Sequence, residues 1–218
     1  MKKILLIGLG KFGLNVAEKL SELNVEVMGI DESEEAVNDA LPFLTNALIG
    51  DTTDEKFMRT VDVDQFDLVI VTIGDNFQNS LETTDLVKEL GAKKVVSRAV
   101  RDVQAKFLLK NGADEVVYPE RQLAEWTAIR YSTERILDFI AINKDFAIFE
   151  VETPEEWKGM RMSELDLRRK YAVNILGIKR GENLDLKING DTVIDGSGDM
   201  LVLGTLEDVR KCFKLKDE

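Results

Sequence analysis

The chain has 218 residues, with 29 basic and 41 acidic side chains, no histidine and a single cysteine, Cys212. A net charge of −12 argues against nucleic acid as a partner, because tracking a phosphate backbone needs a basic face. Lacking histidine, the chain has no Ser-His-Asp or Cys-His nucleophile system, no imidazole base and no imidazole metal site, and one cysteine excludes an intrachain disulfide or a Cys-rich zinc site while fitting a reducing compartment. The length allows one large domain or two modest ones, and 44% hydrophobic residues suffice for a core. No apolar run approaches the ~20 residues of a membrane span, and the run at residues 4–7 is too short for a secretory signal. A soluble protein is therefore expected.

Residues 3–8 form a continuous apolar run and read as a buried strand. Residues 12–23 read as a helix, with Val16, Leu20 and Leu23 on one face. Further strands are predicted over 25–31, 47–51, 67–72, 94–98 and 115–118. Between them lie helices over 34–41 and 55–61, one that starts at Asn76 or Phe77 and ends at Leu90, and one over 103–110, with Ser33, Asp54 and Asp102 as caps of the first, second and fourth. Strands alternating with helices mean βαβ units, so residues 1–122 are assigned to a Rossmann-type doubly wound parallel sheet. Residues 120–142 read as one long amphipathic helix, with Trp126, Ile129, Thr133, Ile136, Leu137 and Ile140 at helical spacing. It is assigned as a crossover helix over 123–143. Residues 144–218 read as a small α+β lobe, with strands over 146–151, 173–178 and 200–204. A short helix opens at Met162, and another over 206–214 closes the chain. Trp157, Glu155 and Glu156 are predicted to form a surface turn after Pro154, and Cys212 to pack in a core beside Val209 and Phe213. The first 122 residues carry 14 basic and 22 acidic side chains and the rest 15 and 19, so neither part is basic.

Gly8-Leu9-Gly10-Lys11-Phe12-Gly13 matches G-x-G-x-x-G, between a strand and a helix in the first βαβ unit. Gly8 permits the tight turn, Gly10 lets backbone approach a phosphate, and Gly13 lets the helix pack on the sheet. The helix N-terminus then faces the phosphates. Asp31 ends the second strand and can accept from a ribose diol, and its charge disfavours the 2′-phosphate of NADP. The plain alternative is a Gly-rich turn in a ligand-free domain. Lys11 and Phe12 lie inside the loop, and Arg98 ends the fifth strand on the same carboxyl edge. The two cations fit ADP or ATP at least as well as NAD; the alternative is that each is solvated or locally paired. Asp51 and Thr52, after the third strand, lie where adenine is held in such folds, or form only a turn before a cap. Gly74, which closes the fourth strand, is assigned to the same cradle. The Tyr-x-x-x-Lys pair of short-chain dehydrogenases is absent, since Gln122, Arg135 and Ile175 follow four residues after the three tyrosines. This favours a nucleotide sensor over an enzyme. A small NAD-dependent oxidoreductase using an acid or lysine, and a nucleotide-binding module for another membrane partner, stand as alternatives.

The ordered motifs resemble the regulatory subunits of Ktr/Trk-type potassium uptake systems, the RCK or KTN proteins. The resemblance rests on the glycine loop, on Gly29-Ile30-Asp31, on Gly50-Asp51-Thr52-Thr53-Asp54 and on Gly112-Ala113-Asp114 with Tyr118-Pro119-Glu120. It continues through Leu167-Arg168-Arg169-Lys170-Tyr171 to Asp199-Met200-Leu201-Val202-Leu203-Gly204. It implies homodimers assembled into rings, commonly octameric, on the cytoplasmic face of a membrane potassium channel or transporter subunit. ATP against ADP, or NAD and NADH, would change ring shape without net chemistry on the ligand. It further implies that Glu120 lies near the phosphates and helps hold a divalent cation between subunits; the alternative is a first-turn acid favoured by the helix dipole. Lys11 stands where many members carry arginine, which loses the bidentate fork. Arg168, Asn174 and Ile175 match a cyclic di-AMP site of some relatives, although Asn189-Gly190-Asp191 stands where those relatives carry a proline. The alternative there is a dimer interface with a surface Arg-Arg-Lys run. Trp126, Ile129, Ile136, Leu137 and Ile140 are expected to bury against a partner subunit as well as the home domain, or else to pack within one chain.

Overall fold

The structure is a computed structural model that describes residues 2–215. The chain divides into two units, Met1–Arg121 and Gln122–Glu218.

In the first unit, β1 (Lys3–Ile7), β2 (Glu26–Asp31), β3 (Asn46–Ile49), β4 (Leu68–Val71), β5 (Val95–Arg98) and β6 (Glu115–Val117) form one parallel sheet in the order β3-β2-β1-β4-β5-β6. The helices between them are α1 (Lys11–Glu22), α2 (Glu34–Ala40), α3 (Glu55–Met58), α4 (Phe77–Glu89) and α5 (Asp102–Lys110). β1 is a continuous apolar run because both of its faces are covered. Leu5 and Ile7 join one core with Val69, Val71 and Val87, while Leu6 joins the other with Ala17, Val27 and Val37. The strand order reverses between β1 and β4, and that switch point opens a crevice at the strands' carboxyl ends.

Two of the three expected caps are present, Ser33 and Asp54 accepting from the amides of Ala36 and Lys56. Asn76, read from the sequence only as a possible first helical residue, caps α4 and accepts from the Asn79 amide. Asp102 does not cap α5. Arg101 is the cap residue, and the Gln104 side chain accepts from the amides of Val100 and Arg101, each at 3.0 Å. Asp102 instead pairs with Arg121 at 2.8 Å.

The crossover helix expected over 123–143 is corrected. α6 (Pro119–Arg130) ends at Arg130, and β7 (Ile136–Ala141) follows. The Ser132 hydroxyl donates to the Ile129 carbonyl at 2.9 Å, just past the helix end. Beyond it, an Ile-rich and Phe-containing run finds an antiparallel partner in β8 (Phe146–Glu152). Asn143 shapes the hairpin turn, its side-chain oxygen accepting from the amides of Asp145 and Phe146 at 2.9 Å. Short apolar runs fit helix and strand periods alike, so tertiary pairing decides. The shared helical face is lost with the helix. Ile136 is buried in its own unit's core, and Ile140 is exposed on β7.

The second unit is completed by α7 (Met162–Leu165), α8 (Leu167–Tyr171), β9 (Asn174–Arg180), β10 (Asn183–Asp185), β11 (Asp199–Thr205) and α9 (Leu206–Phe213). Its antiparallel sheet runs β10-β9-β11-β8-β7. The expected surface turn at Trp157 is also corrected. Residues Glu155–Trp157 form a 3-10 turn, and Trp157 is buried with its ring centroid 4.9 Å from that of Phe213. Glu155 and Glu156 face outward, and Glu156 pairs with Lys214 at 2.9 Å. One turn thus splits by polarity. Cys212 lies in the same core, where burial pushes its thiol up to about 12, so it stays a protonated apolar filler at neutral pH.

Candidate nucleotide cleft

The glycine loop connects β1 to α1. Gly8 takes a φ of +92°, which a side chain rarely adopts, and its amide donates to the Ile30 carbonyl at 2.8 Å. A Cβ on Gly13 would overlap the Gly8 carbonyl oxygen and lie 2.9 Å from the Thr72 hydroxyl, so α1 sits against the loop with no room for a methyl group. Gly10 is the opposite case. A Cβ there would meet nothing within 4 Å, and its backbone is extended at the start of α1. No side chain caps α1, so the N-terminus of this 12-residue helix keeps its amides for an anion.

The loop borders a cleft of about 830 Å³. Gly8, Gly10, Lys11, Phe12, Asp31, Asp51, Thr52, Gly74, Arg98 and Glu120 all line it, while Gly13 stands behind as packing. The cleft is acidic. Asp31, Glu32, Asp51, Asp75 and Glu120 line it against Lys11 and Arg98. A polyanionic ligand must therefore draw on the loop amides, on those two cations or on a counter-cation.

Asp31 closes β2 with both oxygens engaged. One accepts from the Leu9 amide at 2.6 Å and the other from the Ser33 amide at 2.8 Å. The carboxylate therefore ties the glycine loop to the start of α2 and retains lone pairs for a ribose hydroxyl. The Asp51 carboxylate accepts from the Thr53 hydroxyl and amide at 2.7 and 2.9 Å, which holds its pKa below the ordinary carboxylate value. Thr52 is buried and bonds its hydroxyl to that of Thr83 at 2.9 Å.

At the other end of the cleft, Arg98 leaves β5 across Gly74. A Cβ on Gly74 would overlap the guanidinium, which explains the glycine. The guanidinium carbon is 5.8 Å from the centroid of the Phe12 ring, Nη2 donates to Glu120, and Nε is buried with no hydrogen-bond partner among the described residues. The charge and the orphaned donor suit an anionic group entering from the loop.

Sequence reasoning missed Thr72. Its hydroxyl sits within hydrogen-bond reach of the carbonyls of Gly8 and Ile7, the latter at 3.0 Å, and so pins the loop from β4's end. A threonine at the carboxyl end of the strand beside the glycine loop was the available signal. Asn15, Asn76 and Asn79 also line the cleft and were not assigned to it.

In the second unit, Arg168, Asn174 and Ile175 come together from α8 and β9 around a depression of about 300 Å³, with Asp166 and Asn189 on its wall. Among the described residues no three acids or cysteines gather as a metal centre.

The first unit is thus a Rossmann-type domain with an open phosphate-loop cleft, and the second a small α+β lobe. The TrkA-N domain model matches residues 4–119 and the TrkA-C domain model residues 146–216. The chain belongs to this TrkA family of potassium uptake proteins. It is 36% identical to the Ktr system potassium uptake protein C of Bacillus subtilis, covering 98% of this chain and 96% of that protein. It is 30% identical to the Ktr system potassium uptake protein A of the same organism, covering 96% and 95%. The GsuK channel bound to NAD superposes with a TM-score of 0.69 at 17% identity over 100% of this chain and 40% of that one. That last similarity speaks to fold. No helix among the described residues is long and apolar enough to cross a membrane.

Proposed function

We propose that the protein is a nucleotide-sensing regulatory subunit that gates a membrane potassium channel or transporter from its cytoplasmic face. An adenine nucleotide, ATP or ADP or else NAD or NADH, binds the cleft of the first unit. Homodimers assembled into an octameric ring change shape with the ligand, and the ring moves only by the ligand's differential affinity for its two shapes. A divalent cation beside Glu120 would offset the acid excess of the cleft. The carrying observation is a phosphate loop with an open Gly10 and a nearly buried Arg98, beside no histidine and no Tyr-Lys pair. The protein then reads its ligand and does not transform it. The family membership supports the potassium partner.

Calorimetry of the full chain with ADP tests the site. Asp31→Ala removes the ribose acceptor and releases the Leu9 amide, and Gly10→Val fills the open approach to the loop. Each is expected to abolish measurable binding, since a charged hydrogen bond contributes about 1.5–3 kcal/mol. Unchanged affinity in both variants would refute the site. Steady-state turnover of the cofactor would overturn the sensor reading in favour of an oxidoreductase.

A second ligand reading is favoured by the convergence of Arg168, Asn174 and Ile175 on one depression. Cyclic di-AMP fits it, with Arg168 on a phosphate and Asn174 on the base. Arg168→Ala is expected to lose at least tenfold in cyclic di-AMP affinity, about 1.4 kcal/mol. Saturable binding that ignores this substitution places the ligand elsewhere.

A further inference from the structure

One peptide unit of the glycine loop, between Gly8 and Leu9, is held at both of its polar ends from the strands that flank β1. The Leu9 amide donates to the Asp31 carboxylate of β2 at 2.6 Å, and the other Asp31 oxygen is fixed by the Ser33 amide at 2.8 Å. The Gly8 carbonyl faces the hydroxyl of Thr72, the residue that follows β4. That hydroxyl has a single proton and two carbonyls within reach, those of Gly8 and Ile7. The Ile7 carbonyl already accepts from the Thr72 amide at 2.8 Å. The hydroxyl proton therefore goes to Gly8. Thr72 is buried, although it lines the cleft, so water does not readily replace its hydroxyl there.

We propose that Thr72 is a positioning residue for the ligand's phosphates, acting through the Gly8–Leu9 peptide rather than on the ligand. Gly8 alone holds that peptide loosely, because glycine accepts a wider range of backbone angles than any other residue. Its φ of +92° and the bond from its amide to the Ile30 carbonyl fix where the turn begins, not how the next peptide is rolled. The roll is set by the hydroxyl on the carbonyl side and the carboxylate on the amide side. Gly10 follows with an extended backbone, and then α1 begins with no side-chain cap. The aim of those uncapped amides is thus inherited from the clamped peptide upstream. The same hydroxyl lies where a Cβ on Gly13 would approach it at 2.9 Å, so β4, loop and α1 meet at one packed point. Donors already aimed lose less freedom on binding. Without the hydroxyl, the Gly8 carbonyl loses the donor that faces it, and the peptide turns to seek another, carrying the loop amides off the phosphate. This deepens the nucleotide-sensor reading and rests on it.

Such a role separates the phosphates from the rest of the ligand. In the nucleotide reading the ribose and base fall to Asp31, Asp51 and Thr52, whose hydrogen bonds run to Leu9, Ser33, Thr53 and Thr83. The probes are ADP and adenosine, titrated by calorimetry into the full chain beside thermal melts. Thr72→Val keeps the shape and removes the hydroxyl. It is expected to bind ADP about tenfold more weakly, the scale of one hydrogen bond left unmade, with adenosine affinity unchanged. Thr72→Ser keeps the hydroxyl and is expected to restore ADP binding. Thr72→Ala sets no methyl group against the Gly8 carbonyl and carries the same expectation as valine, should the valine variant fail to fold. A merely structural role predicts a lower melting temperature with the ratio of ADP to adenosine affinity unchanged. ADP binding at parental strength in Thr72→Val and Thr72→Ala, an equal loss of both ligands, or an ADP loss that serine does not rescue overturns the positioning role while leaving the nucleotide site standing. A parent chain that binds neither ligand overturns the nucleotide reading and this role with it.

Discussion

Replacing Gly13 by alanine is expected to abolish ADP binding and to lower the melting temperature together. A Cβ at Gly13 would overlap the Gly8 carbonyl oxygen and approach the Gly8 carbonyl carbon at 3.0 Å and the Thr72 hydroxyl at 2.9 Å. None of these is the far end of a flexible side chain. Gly8 is fixed by its +92° φ and its amide bond to Ile30, and Thr72 by its contacts to the loop carbonyls. Relief requires α1 to move off the loop, which costs about 1–3 kcal/mol as overpacking and misplaces the amides meant for phosphate. Gly10→Ala separates the two effects. Its Cβ has open space, so the fold should melt as the parent does, while the added methyl group crowds the ligand's approach. Parallel thermal melts and ADP titrations check this. A Gly13→Ala protein that binds ADP within about threefold of the parent would show that the loop does not depend on this contact.

Local chemistry made the first unit legible. The glycine loop, the buried run of β1 and the caps Ser33 and Asp54 each act within a few residues of themselves. Their stereochemical demands are written where they are met. The misses share a different origin. Arg98 and Glu120 are 22 residues apart, and their pairing follows from β5 and α6 sharing one edge of the cleft, which no local pattern encodes. Thr72 reads as an ordinary strand residue until β4 is placed beside β1. The helix α4 misleads more actively. It buries Ser80, Thr83 and Thr84, where a polarity pattern expects an apolar face. Two of those hydroxyls are satisfied across the layer, Thr83 by Thr52 and Thr84 by Ser97, each at 2.9 Å, while the Ser80 hydroxyl is buried with no partner among the described residues. Residues 136–141 fit two periodicities, and the choice between them belonged to β8.

Trp157→Ala is expected to destabilise the second unit by about 3–5 kcal/mol, the range for truncating a buried aromatic. A residue on a surface turn would change stability by no more than about 0.5 kcal/mol, so the two placements predict outcomes several-fold apart. The large value follows from where the indole sits. It shares a core with Phe149, Phe213, Ile194 and Cys212, and its ring lies 4.9 Å from Phe213 at an interplanar angle of 52°. Truncation removes that aromatic contact and leaves a cavity in a core whose strands β8 and β11 are held by ladder hydrogen bonds and cannot readily collapse into it. Trp157→Phe keeps a ring and should lose less. Glu156→Ala, one residue earlier, is the control. Its pair with Lys214 is exposed, at 52% and 74%, and contributes at most about 1 kcal/mol. Urea denaturation followed by far-UV circular dichroism measures all three. A Trp157→Ala loss no greater than that of Glu156→Ala would return the indole to the surface. A domain is stable by only about 5–15 kcal/mol, so the expected loss removes a large share of what holds the lobe together. The turn after Pro154, although short and acidic, therefore contributes to the core through its one apolar side chain.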